Sequence, residues 1–225
     1  MNIKNIIKKL KSLSNPKTVE GMVRFGIAAN KTLGISMPVL RKLGKEIGKN
    51  HQLAIGLWDS GYHEAKILAS IVAEIEKVDG KLMDKWIKGF DSWDVCDQVM
   101  MNLFWRSPLA YRKAMEWCDL EPEFERRAGF ALMAILGWKD KEAKNSDYDK
   151  FIPLILKYSD DNRNYVKKAI NWAIRQIGKK NKALNKKFIK VAEDVAKLDN
   201  KTAKWIAGDA TRELKSEAVQ KRLSK

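Results

Sequence analysis

Apolar residues recur at three- and four-residue spacing along almost the whole chain, while alternating apolar and polar runs and hairpin turn signals are scarce. The pattern predicts an all-α protein. Breaks fall at 14–16 (SNP), at Gly34 with Pro38, and at 59–61, 78–81, 107–108, 121–123, 137–147, 159–164 and 178–182. They divide the chain into about a dozen helices joined by short polar turns. Two segments, ILASIVAEI (67–75) and RRAGFALMAIL (126–136), are apolar nearly all the way round. Each is predicted to be covered on both sides, with the helices between them keeping one polar face. Helix pairs return every 35 to 45 residues or roughly so, which predicts a curved solenoid of stacked pairs. No linker interrupts the order, so residues 1–225 read as one domain.

Such pairs have the character of HEAT-like units, and a curved stack of them presents a concave wall suited to holding a duplex. Charge sharpens that picture. The 225 residues hold 44 Lys and Arg against 28 Asp and Glu, a net charge of +16. An excess of this size favours a phosphate backbone through counterion release and long-range attraction. No apolar run approaches the roughly 20 residues that span a bilayer, and the lysine-rich start MNIKNIIKKLKSLS lacks the core of a signal peptide. Cys96 and Cys118 match no paired metal spacing, and with only His51 and His63 beside them no zinc site is expected. A soluble cytoplasmic monomer without metal, nucleotide or redox cofactor is the resulting expectation.

The stretch DSWDVCDQV (91–99) gathers three acids and a tryptophan in this basic chain. Asp91 and Asp94 sit where a helix should begin and are expected to cap it. At about 100° per residue, Cys96, Val99, Met100 and Leu103 share the buried side. Asp97 falls at its edge one turn after Trp93, so a carboxylate and an indole project from one strip of surface. In NYVKKAINWAIRQIGKK (164–180), Val166, Ile170, Ala173 and Ile177 define the core side, while Trp172 lies off it, nearer Lys168 and Arg175. Arg127 opens a helix whose own side carries the small residues Ala131 and Ala134, with Arg126 beside it. Pairing with a neighbouring carboxylate is the bland explanation for such an arginine. Trp58, Trp86, Trp105, Trp117 and Trp205 are assigned to packing, Tyr165 is a lesser candidate, and Trp138 falls in a polar loop.

The runs FDSWDVCDQ, FERRAGFALMA, RNYVKKAINWAIRQIGK and AKWIAGDATREL, in this order and at these intervals, resemble the AlkD-type DNA alkylation repair proteins. The resemblance extends from GISMPVLRKLGKEIG (34–48) to Leu214. It implies a HEAT-like solenoid that grips duplex DNA and a glycosylase that removes positively charged alkylated purines, 3-methyladenine and 7-methylguanine. Position by position, it implies Trp93, Asp97 and Trp172 as catalytic residues and Arg127, with Arg126 as its competitor, as a phosphate contact. Arg175 joins them by the same match, and Lys168, Lys179 and Lys180 by position on the same segment. The chain departs from the pattern in a lean N-terminus and in Cys96 beside the acid. A cationic purine is already a good leaving group, so one carboxylate that stabilises the oxocarbenium-like sugar suffices, flanked by the two indoles. A non-catalytic HEAT-like scaffold for duplex nucleic acid or a protein partner is the competing reading.

Overall fold

The computed structural model describes residues 2–224, and every described regular element is helical. Cα proximity groups the chain into two units, 1–107 and 108–225. In the first, α1 (Ile3–Ser12), α2 (Pro16–Arg24), α3 (Met37–Ile47), α4 (His51–Asp59) and α5 (His63–Val72) are followed by α6 (Gly80–Ile87) and α7 (Trp93–Asn102). The second holds α8 (Ala110–Cys118), α9 (Glu123–Lys139), α10 (Ile152–Tyr158), α11 (Asn164–Gly178), α12 (Lys182–Ala196), α13 (Lys201–Leu214) and α14 (Glu217–Ser224). Short 3-10 turns at Ile75–Lys77, Phe104–Arg106 and Asn145–Phe151 complete the chain.

The starts of the helices follow from local chemistry. Asn2, Asn15, Asn50, Asp79, Asn181 and Asn200 each accept a bond from the backbone N–H three residues on, satisfying an amide that the helix itself leaves unpaired. In α2 the cap is followed by Pro16, which lacks an N–H and fits the first helical position.

In the first unit α5 packs against α3, α4 and α7, and nearly every one of its residues is buried. Trp58 of α4 stacks on Trp86 of α6, with ring centroids 4.4 Å apart and planes 4° from parallel. In the second unit α9 lies between α8 and α11, and its residues 126–137 are buried without interruption. A Cβ at Gly129 would come within 2.7 Å of the Cys118 amide and thiol, so glycine is what lets α8 approach this closely. Both segments that read as apolar all round are therefore central helices. Cys118, enclosed between α8 and α9, has its thiol pKa pushed up, chiefly by burial.

Three expectations are corrected. Trp138 is in the last turn of α9, where it is 51 % exposed and lies under the Lys139 ammonium at 4.5 Å. The helical pattern of 123–139 continues through it because neither Gly137 nor the polar residues beyond interrupt the ladder. Trp205 is not packing but 44 % exposed, with Lys167 over its ring. At 91–94 the helix begins later than the acids suggest. Its N-cap is Ser92, which makes no side-chain cap bond.

Candidate active site

The N-terminal end of α7 is positioned by α5 and by the segment before α3. Glu64 of α5, 1 % exposed, accepts hydrogen bonds from the amides of Leu33, Gly34 and Ile35 at 2.6–3.2 Å. A carboxylate held by three converging amides has its charge dispersed over fixed dipoles. Gly34 takes a positive φ of 74° there, a conformation that a side chain disfavours. On the next turn of α5, Lys66 donates to Asp91 and to the Gly89 carbonyl, both at 2.8 Å. His63 Nε2 lies 2.8 Å from Asp94 Oδ2. Burial lowers the pKa of His63, but the Asp94 hydrogen bond and charge outweigh it, so the net direction is upward.

Asp91 and Asp94 are thus ion-pair partners of α5 rather than caps, although Asp94 in the first turn also meets the positive end of the helix dipole. Cys96, Val99, Met100 and Leu103 are fully buried, as the helical wheel predicts. At the edge of that stripe, Trp93 and Asp97 are half-buried and one turn apart. The Trp93 indole donates to the Phe25 carbonyl at 3.0 Å, which fixes the ring against the end of α2. Phe25 itself is 72 % exposed.

In the second unit the two adjacent arginines part company. Arg126 is buried and donates to the carbonyls of Cys118 and Leu120 and to the carboxylates of Asp161 and Glu121. Its guanidinium also lies 4.4 Å from the Tyr158 ring. Burial would raise the pKa of Asp161, but hydrogen bonds from Arg163 and Arg126 hold it below the usual carboxylate value. Arg126 is therefore a structural tie, which corrects the expectation that it contacts phosphate. Arg127 is buried too, and its Nη1 donates to the Tyr165 carbonyl at 2.7 Å.

On α11, Val166, Ile170, Ala173 and Ile177 are fully buried. Trp172 is half-buried, one turn after the exposed Lys168 and three residues before Arg175. Arg175 and Lys179 both donate to Glu213 of α13, and Asp209 lies 3.9 Å from Arg175, so two carboxylates offset their charges within the fold. Lys180 donates to the Asp140 carbonyl, and burial lowers its pKa.

The structure keeps Trp93 with Asp97 on α7, and Lys168, Trp172 and Arg175 within two turns of α11. His63, Glu64 and Lys66 are the supports that sequence reasoning missed; their partners lie 23–31 residues away. Among the described residues no helix is long and apolar enough to cross a membrane, and no group of three or more His, Cys, Asp or Glu is placed to hold a metal ion.

Among the described residues the fold is all-helical and built of packed helix pairs, the class of helical-repeat proteins. The sequence model of the DNA alkylation repair enzymes matches residues 6–214, and the chain belongs to that family. A solved structure reported as "A new family of proteins related to the HEAT-like repeat DNA glycosylases with affinity for branched DNA structures" aligns with a TM-score of 0.82. It shares 22 % identity and covers 99 % of this chain and 96 % of its own, which establishes the HEAT-like fold. No curated protein matches the chain.

Proposed function

We propose that this protein is a DNA glycosylase that holds duplex DNA by its backbone and releases 3-methyladenine and 7-methylguanine, with Asp97 as the catalytic carboxylate. The observation that carries the reading is the pair on α7, where Trp93 and Asp97 share a half-buried strip that borders the helix's buried face. The alkylated purine carries its own positive charge and leaves without being protonated. As the glycosidic bond lengthens, positive charge grows on the deoxyribose. The Asp97 carboxylate stabilises that charge and aligns or deprotonates the attacking water, and the Trp93 π face favours the same charge. The products are the free base and an abasic sugar. Trp172 and Arg127 are proposed, from the resemblance of their own segments to the family, as further DNA contacts.

The net charge of +16 supports binding dominated by phosphates. Affinity for an undamaged duplex then falls steeply with salt and depends little on sequence, and a binding titration with no salt dependence contradicts this. The test of the activity is to incubate the purified protein with methylated duplex DNA and measure free 7-methylguanine; release at a rate above that of the DNA alone is the expected result.

One observation favours a second reading, a DNA-binding relative that does not cut: the similar solved structure is described by its affinity for branched DNA. A protein that binds branched and linear duplexes but releases no base supports that reading over the first.

A further inference from the structure

The second unit carries a cavity of about 590 Å³ at the C-terminal ends of α9 and α11, within the roughly 300–1,000 Å³ typical of small-ligand sites. Trp138, Lys141, Gln176, Lys180 and Arg222 line it, and no acidic residue does. Cations near helix C-termini offset the negative end of the dipole, which accounts for some of this charge. It does not account for the rest. Lys179, also on the wall, is neutralised by Glu213. Lys180 and Arg222 are instead anchored on the neutral carbonyls of Asp140 and Lys179, and the Asp140 and Glu142 charges that act on Lys180 do not outweigh its burial. Lys141 is exposed. Lys180 is partly desolvated, and its lowered pKa marks a cation that gains from an incoming anion. Beside these cations Trp138 offers a half-exposed indole, one face of which lies under Lys139. A ring next to a cluster of cations has the chemistry of a site for an aromatic base joined to a phosphate.

We propose that this cavity binds an unpaired nucleotide of DNA, with the base stacked on the free face of Trp138 and the phosphate among Lys141, Lys180 and Arg222. The half-buried Gln176 amide supplies a donor and an acceptor for the base edge. The proposal rests on the reading of the protein as a DNA binder and adds a second contact away from α7. It makes the protein prefer DNA with a single-stranded end or branch over a blunt duplex.

The test uses the full chain and two labelled duplexes, one blunt and one carrying a short single-stranded overhang, compared by fluorescence anisotropy. Wild type is expected to bind the overhang duplex about tenfold tighter, the scale of one stacked base. Trp138→Ala should abolish the difference, Trp138→Phe should retain most of it, and Lys141→Ala should reduce it, with blunt-duplex affinity unchanged by the two tryptophan variants. Equal binding of the two duplexes by wild type, or a preference that survives Trp138→Ala, overturns the proposal. Titration with deoxyadenosine monophosphate, followed through indole N–H resonances, separates the two claims. If the mononucleotide perturbs the Trp138 signal while the duplexes bind equally, the cavity is a free-nucleotide site and the DNA assignment fails. If blunt duplex binds and base is released but neither probe responds, the cavity alone fails. If no duplex binds and no base is released while the mononucleotide still perturbs Trp138, the glycosylase reading and the DNA assignment both fall.

Discussion

The starts of α7 and α9 pose the same problem in opposite charge. One sets three aspartates within seven residues, and the other sets two arginines side by side. In each, contacts with distant segments divide the group. Asp91 goes to Lys66 and Asp94 to His63, and Asp97 lies half-buried one turn after Trp93. Arg126 goes to Asp161, Glu121 and two carbonyls, while Arg127 reaches the Tyr165 carbonyl. The comparison teaches that residues of one type in one run are sorted by different partners outside that run. The two ties also differ in the sign of their response to pH.

The largest effect is expected at α9. Arg126→Ala removes a guanidinium that compensates the buried Asp161 and should cost about 3–5 kcal/mol, read as a lower denaturation midpoint in urea. A loss no greater than that of an exposed-residue control removes the structural role. Because Asp161 has a lowered pKa, its contribution is present above the ordinary aspartate value of 3.8 and is lost as pH falls through its folded value. The stability of Arg126→Ala should therefore depend less on pH in acid than that of wild type.

A smaller effect is expected at α7. Asp94→Asn leaves His63 without its charged partner and should cost about 1–3 kcal/mol. His63 has a raised pKa, so this pair contributes fully below the ordinary histidine value of 6.5 and weakens as pH rises through the folded value. The difference between wild type and Asp94→Asn should shrink from pH 6 to pH 8 or thereabouts; a difference that grows with pH contradicts the assigned direction. Smallest of all is Asp91→Ala. Asp91 is 56 % exposed in its pair with Lys66, so the loss should stay below about 1 kcal/mol.

Much of the fold was legible because helical periodicity is a local signal. The all-round apolar runs of α5 and α9 located the central helices, and the buried stripes of α7 and α11 followed from residue spacing. Trp138 was misread because glycine and nearby polar residues suggested a loop, whereas the α9 ladder runs past Gly137. Asp97 and Trp93 stood out because neither capping nor the core accounts for them. The roles of Asp91, Asp94 and Arg126 could not be read locally: their partners lie 25–35 residues away, and no spacing rule connects α5 to α7 or α9 to the turn before α11. The likeness of Arg126 and Arg127 was resolved only by burial against particular acids and carbonyls.

The central claim is that Asp97, and not its two acidic neighbours, acts on the sugar. The most direct measurement is single-turnover release of 7-methylguanine by wild type and Asp97→Asn, with duplex affinity measured on the same preparations. Wild type should release the base, and Asp97→Asn should bind duplex as wild type does while losing about a hundredfold or more of the rate, the scale of a removed charge-stabilising group. Near-normal release by Asp97→Asn, with binding intact, contradicts the account.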